Sequence, residues 1–246
     1  MKRNINTLYA LASIIILAFT SCHDDDFSIL NTNDDAVFQV STLQSLMDGG
    51  YDGTITISEL KTNGNIGLGT FDHINGEMIV FNDTVFQALW DGSVIVANDT
   101  TTVPFADVAT FSADKPFNAE EATDMADLSA KLDSVLQEFG QDNIFIVKMD
   151  AHCQDITVRS EVPQTPPYSP LLEVLPTAER SFFYEDISGT FVAMWFPEAF
   201  ATVSGSGWHY HFISNNRKQG GHVLSINGLS NLNGSICVRK KLVTII

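Results

Sequence analysis

Three of the six histidines lie close together in the chain. His209 and His211 are separated by one residue, and His222 follows after a polar turn. Because alternate side chains of a β-strand point to the same face, His209 and His211 are predicted to share one face. A hairpin that pairs Phe212 with Gly221 would place His222 on that face too, opposite His211, with the Cβ atoms roughly 5 Å apart.

Three imidazole groups on one face are typical of a divalent metal site. Three protein nitrogens leave coordination positions open for water, a carboxylate or a substrate, which is the pattern of a catalytic rather than a structural zinc site. The alternative is that these histidines are hydrogen-bonded surface or core residues of a strand. The third histidine at hairpin-compatible spacing favours the metal, so we predict that His209, His211 and His222 bind zinc.

The segments around these histidines have the pattern of short β-strands, separated by turn signals such as Asn75-Gly76 and Asp91-Gly92. A strand that begins at Phe38 changes to helical spacing before Gly49. We also predict a turn at Ala151-His152. Further strands are predicted at residues 69–71, 77–81, 84–89, 93–97, 144–149, 155–159, 182–184, 189–196 and 237–243.

One long helix is predicted over residues 119–139. Leu128, Leu132 and Val135 recur at intervals of three and four residues, which places them on one helical face. Residues 163–176 contain five of the eight prolines. This segment is therefore predicted to be an ordered or semi-rigid loop, without helix or central strand.

The first 21 residues have the pattern of a bacterial lipoprotein signal peptide. Lys2 and Arg3 precede an apolar stretch, Leu8–Phe19, which is too short to span a bilayer comfortably, and Cys22 follows small residues. Cleavage before Cys22 and lipidation of its thiol would anchor the protein to a bacterial membrane, outside the cytoplasm. Residues 22–36 are predicted to form a flexible tether, and residues 37–246 to form the folded part.

The chain is strongly acidic, with a formal net charge of −17. Such a surface repels nucleic acid and anionic lipid headgroups, so we expect no nucleic-acid partner and membrane contact only through the lipid anchor. An anionic substrate would need a dedicated local cation. After Cys22 only Cys153 and Cys237 remain, which excludes a disulfide framework and a CxxC metal site.

Several sequence blocks together resemble the α-acetolactate decarboxylase family. They are Gly69-Thr70-Phe71, Asn75–Val80, Asp91-Gly92, Thr102–Ala106, Val158-Arg159-Ser160 with Gln164 and Pro167-Tyr168, Gly207–Phe212 and Gly220–Leu224. The resemblance implies an α+β fold of two tightly joined β-rich subdomains with mixed sheets and a few helices. We divide these subdomains at residues 37–150 and 151–246, and the family is commonly a homodimer.

The resemblance also implies a function. Family members hold zinc through histidines at the positions of His209, His211 and His222, and they convert 2-acetolactate to acetoin and carbon dioxide. They use a Glu and an Arg at the positions of Glu77 and Arg159 in the active site. The expected substrate is therefore a small anionic hydroxy-keto acid. Without the resemblance, Arg159 would be interpreted as a salt-bridge residue and Glu77 as an ordinary turn-flanking acid.

The residue types agree with this chemistry. Loss of carbon dioxide from a β-keto acid leaves an electron pair that needs an electrophile, and the sequence has no pyridoxal, thiamine or flavin motif. A divalent cation can fill that role. Arg159 can bind a carboxylate through a bidentate fork, and Glu77, with a pKa raised on burial, can deliver the final proton.

One family feature is absent from the sequence. Relatives usually supply another carboxylate near the C-terminus, whereas residues 199–246 contain no Asp or Glu. We therefore expect slower decarboxylation, unless another acid such as Glu59 or Glu198 replaces it. Two alternatives stay open at this point: a lipid-anchored protein with this fold that only binds a small ligand, and a metal enzyme of the cupin type.

Overall fold

The computed structural model describes residues 35–246. The predicted signal peptide, the lipidation residue Cys22 and nearly all of the tether lie outside the described residues. The first strand begins at Ala36, one residue before the predicted start of the folded part. Within residues 35–246, no helix has the length and apolar character needed to cross a membrane.

The described chain consists mainly of β-strands. In chain order they are β1 (Ala36–Val40), β2 (Ile55–Thr56), β3 (Ile66–Thr70), β4 (Glu77–Phe81), β5 (Thr84–Ala88), β6 (Val94–Val96), β7 (Thr102–Val103), β8 (Phe105–Ala109), β9 (Lys115–Asp124), β10 (Ile144–Glu161), β11 (Glu179–Phe196), β12 (Gly207–Ser214), β13 (Gly220–Arg239) and β14 (Lys241–Ile245). The helices are α1 (Leu43–Met47), α2 (Ile57–Lys61), α3 (Met125–Phe139) and α4 (Leu171–Ala178), with short 3-10 helices at Asp72–Ile74 and Glu198–Phe200.

Two sheets contain nearly all of these strands. The seven-stranded sheet has the order β14-β1-β8-β3-β4-β5-β6, and the five-stranded sheet has the order β10-β11-β12-β13-β9. In the first sheet β14 runs parallel to β1, whereas β1 and β8 are antiparallel, so this sheet is mixed. In the second sheet every pair of neighbouring strands is antiparallel. The predicted α+β class with mixed sheets and few helices is confirmed.

The strand β10 shows how the sequence builds both cores. Successive residues of a strand point to opposite faces, and the run Ile144-Phe145-Ile146-Val147 is apolar at every position. Ile144 and Ile146 pack in a core that also contains side chains of the seven-stranded sheet. Phe145 and Val147 pack in a second core, which α3 covers. The five-stranded sheet is therefore buried on both faces here, and this holds it firmly against the other sheet.

The predicted division at residue 150 falls within β10, which is 18 residues long. After the five-stranded sheet is complete, β14 returns to pair with β1 in the seven-stranded sheet. The chain therefore passes from the seven-stranded sheet to the five-stranded sheet and back again. The division into two subdomains stays a prediction.

The predicted start of the long helix was wrong. Residues 119–124 belong to β9, which pairs with β13, and α3 begins only at Met125. Asp124 ends the strand and caps the helix, because its Oδ1 accepts a hydrogen bond from the backbone N–H of Asp127 at 2.8 Å. Pairing with β13 therefore outweighs the helix propensity of the Ala119-Glu120-Glu121-Ala122 run.

The predicted turn at Ala151-His152 was also wrong. These residues continue β10, and the chain absorbs an irregularity there as a register shift between Asp150 and His152 against β13. The predicted strands at 182–184 and 189–196 likewise join in the single strand β11, which pairs with β10 along its whole length.

The proline-rich segment contains a helix that we had excluded. Helix α4 includes Pro176, and Pro170 stands at its N-cap. Leu171 and Val174 of this helix pack on a small core that contains Leu46 and Tyr51. This packing compensates for the backbone hydrogen bond that Pro176 cannot donate, and the helix ends two residues later.

Candidate active site

The hairpin between β12 and β13 has the predicted register. Phe212 pairs with Gly221, and His211 lies directly opposite His222. On its other side, His222 pairs with Arg159 of β10. Gly221 permits this close approach, because a Cβ at this position would lie 2.3 Å from the carbonyl oxygen of Arg159. The glycine before the third histidine therefore brings an arginine next to the histidine cluster.

The three histidine rings converge on one point. His209 Nε2 lies 2.8 Å from His222 Nδ1 and 3.1 Å from His211 Nε2. Nitrogen ligands about 2.0–2.1 Å from a tetrahedral ion are themselves roughly 3.3 Å apart, so these three nitrogens are close to the separation of a shared metal site. The three side chains form a group that could hold a divalent metal ion.

A hydrogen bond to the seven-stranded sheet fixes the tautomer of His211. This side chain is fully buried, and its Nδ1–H donates to the carbonyl oxygen of Met78 at 2.7 Å. Nε2 is therefore left with a lone pair that faces the other two rings. A hydrogen bond of this kind, on the nitrogen remote from the metal, is usual for a metal-binding histidine.

The electrostatics favour neutral rings. Burial, followed by the charge of Arg159, lowers the pKa of His209 to about 4. Burial and the neighbouring histidines hold the pKa of His211 and of His222 well below the ordinary value. Neutral imidazole is the form that binds metal, so the three residues fit a divalent ion both by geometry and by charge state.

Glu77 connects the histidines to Arg159. It begins β4 and is 7% exposed, with Oε2 3.4 Å from His211 Nε2 and Oε1 3.8 Å from Arg159 Nε. Burial raises the pKa of this carboxyl well above its ordinary value, and nearby Glu161 raises it further, whereas Arg159 acts in the opposite direction. Glu77 is thus a buried acid at the metal pocket and not an ordinary turn-flanking residue.

Arg159 is surrounded by carboxylates. Its Nη1 donates to Glu179 Oε2 at 3.0 Å, and its Nε lies 3.3 Å from Glu161 Oε1. Burial lowers the pKa of the guanidinium, but Glu77, Glu161 and Glu179 outweigh this and raise it overall. Only 20% of the side chain is exposed, so Arg159 is not a surface salt-bridge residue.

Glu161 and Glu179 were missed by the sequence analysis. Glu161 is two residues after Arg159 in the same strand, so both side chains lie on one face. Glu179 opens β11 directly opposite Glu161. The alternation in β10 was a signal for Glu161, but the predicted strand ended at Arg159, two residues too early. Nothing in the local sequence around Glu179 pointed to the site.

A small cavity of about 60 Å³ lies beside these groups. Its polar lining comes from Glu77, Arg159, Glu161 and Thr70. Its apolar wall comes from Leu46, Ile74, Phe105, Leu171 and Leu175. A larger open cavity of about 560 Å³ lies along residues 183–188 and the turn of the histidine hairpin. The three histidines line neither cavity, but Glu77 and Arg159, which lie beside them, line the small cavity and not the larger one. The chemistry therefore places the site at the small cavity.

The two acids that we considered as replacements for a C-terminal carboxylate lie elsewhere. Glu59 belongs to a capping box with Thr56 at the start of α2. Glu198 is exposed in a 3-10 helix. Neither lines the small cavity, so neither is placed to replace that carboxylate there.

A second group of possible metal ligands is more exposed. Asp52, Asp72 and His73 lie close together, but these side chains already have protein partners. His73 contacts Tyr168 and Asp72, and the hydroxyl of Tyr168 donates to Asp52 at 2.7 Å. We interpret this group as a connection between surface loops.

Comparisons with known proteins agree on one family and one fold. A family model described as alpha-acetolactate decarboxylase matches residues 37–244. The alpha-acetolactate decarboxylase of Methanosarcina mazei is 37% identical over 199 residues, which cover 80% of this chain and 68% of that protein. The alpha-acetolactate decarboxylase of Bacillus licheniformis is 33% identical over 195 residues, which cover 79% of this chain and 76% of that protein.

The solved structures agree with the sequence comparisons. The crystal structure of alpha-acetolactate decarboxylase from Bacillus subtilis strain 168 superposes with a TM-score of 0.80 at 27% identity. The match covers 85% of this chain and 88% of that one. These findings leave no support for the cupin alternative.

Proposed function

This chain belongs to the alpha-acetolactate decarboxylase family, and we propose that it converts 2-acetolactate to acetoin and carbon dioxide with one zinc ion. The zinc would be held by His209, His211 and His222. The observation that carries the proposal is the convergence of three neutral imidazoles beside a buried acid and a largely buried arginine. When bound, the ion supplies positive charge that stabilises the electron pair left by the departing carbon dioxide.

Arg159 is the cation proposed for the substrate carboxylate. It lies in the wall of the small cavity, and its backbone pairs with that of His222 in the sheet. A group bound at Arg159 is therefore adjacent to the position where the three histidine nitrogens converge. In a chain of net charge −17, a fixed guanidinium gives an anionic substrate a local binding partner. Glu179 holds one edge of the guanidinium and thereby orients it.

Glu77 is the proposed proton donor. Breaking the bond between the carboxyl carbon and the hydroxyl-bearing carbon releases carbon dioxide and leaves an electron pair on the hydroxyl-bearing carbon, conjugated with the neighbouring ketone. A proton must then be added to the hydroxyl-bearing carbon to give acetoin. Burial raises the pKa of Glu77 well above its ordinary value and so favours the protonated form that a donor needs, and the residue contacts both His211 and Arg159. Apolar side chains around the cavity restrict the access of water.

We also propose that the protein acts outside the cytoplasm, as a homodimer anchored by a lipid on Cys22. The support for the anchor is the charged, apolar and small-residue pattern of residues 1–22. The support for the dimer is the family resemblance alone. The anchor would place acetoin formation on the outer side of a bacterial membrane.

The second candidate function is binding without catalysis. It is favoured by one observation, the absence of Asp and Glu from residues 199–246. Such a protein would keep the histidine site and the cavity but would release no acetoin.

The two functions are separated by measuring acetoin released from 2-acetolactate by the purified protein, first free of metal and then loaded with zinc. Zinc-dependent release supports the decarboxylase. Zinc binding and ligand binding without release of acetoin would replace it by the binding function.

A further inference from the structure

Glu161 is a buried acid in the wall of the small cavity. It is only 4% exposed, yet Oε1 has no hydrogen-bond partner anywhere in residues 35–246. The Nε atom of Arg159, 3.3 Å away, is likewise buried without a hydrogen-bond partner in this part of the chain. A buried carboxyl oxygen without a hydrogen bond is costly, so its presence needs a reason beyond the contact with Arg159.

The surroundings of Glu161 contain too much negative charge for Arg159 alone. Glu77, Glu161 and Glu179 all lie within 3.8 Å of the guanidinium, so three acids face one cation. Glu77 and Glu161 also line the small cavity. With Glu77 protonated, as a proton donor must be, and with Glu161 and Glu179 ionised, the group has a formal charge of −1, which repels a carboxylate ligand. One divalent ion would bring the charge to +1.

We propose that Glu161 couples substrate binding to metal binding: its charge strengthens the affinity of the histidine site for a divalent ion and prevents anions from binding until that ion is present. Glu161 acts through Arg159 and Glu77. It is a positioning residue, because its ion pair with Nε orients the guanidinium of Arg159. It supplies from β10 the additional negative charge that we first looked for near the C-terminus.

The anion half of this inference rests on the proposed function, because it concerns a carboxylate substrate. The metal half does not, because it can be measured with zinc alone. A wild-type protein that binds zinc but releases no acetoin would remove the proposed function and leave the role of Glu161 in metal binding intact.

The test compares Glu161→Gln with wild type and with Glu121→Gln, which removes an exposed acid of β9. Zinc affinity is measured by competition with a fluorescent chelator. We expect Glu161→Gln to bind zinc about tenfold more weakly, because one nearby negative charge is lost. Glu121→Gln should match wild type, and Glu161→Asp, which keeps the charge, should recover most of the affinity.

The second readout uses metal-free protein and 2-hydroxy-2-methylpropanoate, which has the hydroxyl and carboxylate of the substrate but cannot lose carbon dioxide in the same way. In calorimetry we expect Glu161→Gln to bind this anion at least about tenfold more tightly than metal-free wild type. A merely structural role would not produce tighter anion binding.

Equal zinc affinity and equal metal-free anion binding in Glu161→Gln and Glu121→Gln would overturn the inference. Circular dichroism establishes that each variant is folded. Should Glu161→Gln unfold, Glu161→Leu fills the same space without a polar group, and the same two measurements on that variant decide the question.

Discussion

His211 Nδ1 lies 2.7 Å from the carbonyl oxygen of Met78, so a strand of the seven-stranded sheet orients a proposed metal ligand of the five-stranded sheet. Met78 directly follows Glu77 in β4. The same strand therefore positions the proposed proton donor and fixes the tautomer of a ligand. The packing of β4 against β12 is what brings the acid and the histidines together.

Replacing Arg159 by Lys is expected to weaken substrate binding. Lysine keeps the positive charge but loses the planar fork that both Glu179 and a substrate carboxylate can use. We predict a rise of about tenfold in KM with a smaller change in kcat, measured by acetoin formation over a range of acetolactate concentrations. Arg180→Lys is the matched control, because Arg180 is exposed and donates to backbone carbonyl groups. A KM equal to that of the control would show that Arg159 does not bind the substrate.

Replacing Glu77 by Gln is expected to impair turnover instead. The amide keeps the size of the side chain and removes its titratable proton. We predict a loss of about 100-fold or more in kcat, the scale of general acid–base catalysis. Zinc content should be measured in parallel, so that a loss of metal is not mistaken for a loss of proton transfer. A fully loaded variant with wild-type kcat would exclude Glu77 as the proton donor.

The histidine site could be predicted because its geometry is local. A strand, a turn and a strand determine which face each ring occupies, and the observed pairing of His211 with His222 follows from that arrangement alone. The position of Arg159 next to His222 could not be derived in this way, since it depends on pairing between residues 63 positions apart. The family resemblance supplied Arg159, but not its acidic neighbours.

The errors in the fold have a common physical cause. Residues 119–124 and 150–152 have local patterns of helix and turn, but pairing with β13 holds both segments in strands. The length of β10 also determines the site, because Glu161 is its last residue. Because the predicted strand ended at Arg159, Glu161 lay outside it and could not be assigned to a face of the sheet.

Asp107 predicts a pH dependence of stability. It lies in β8, 1% exposed, and burial raises its pKa to about 8 although a hydrogen bond with Gln39 acts in the opposite direction. Because the folded state holds this proton more tightly than the unfolded state, the free energy of unfolding falls as pH rises from about 4 to about 8, by at most ~1.4 kcal/mol per pH unit from this group.

Asp107→Asn removes that ionisation, so the variant should gain stability relative to wild type over the same range of pH. Urea unfolding at several pH values measures the difference. A difference between the two proteins that stays constant from pH 4 to pH 8 would contradict the assignment.

The proposed lipid anchor is tested by replacing Cys22, which precedes the folded part of the chain. Cys22→Ala, expressed in a bacterial host that is given labelled fatty acid, is expected to lose the label and to be released from the membrane fraction. Cys153→Ala controls for other thiols, because Cys153 is buried. Absence of label from the unmodified chain would leave residues 1–21 as a signal peptide or an uncleaved anchor.

The central claim is that a zinc ion held by three histidines is required for decarboxylation. Metal-free protein is titrated with zinc, and acetoin release is measured at each step together with bound zinc by elemental analysis. The wild type is predicted to reach full activity at about one zinc per chain. His211→Ala is predicted to retain little zinc and to release no acetoin above background. Wild-type zinc content in His211→Ala, or acetoin release by the wild type that does not depend on added zinc, would contradict the claim.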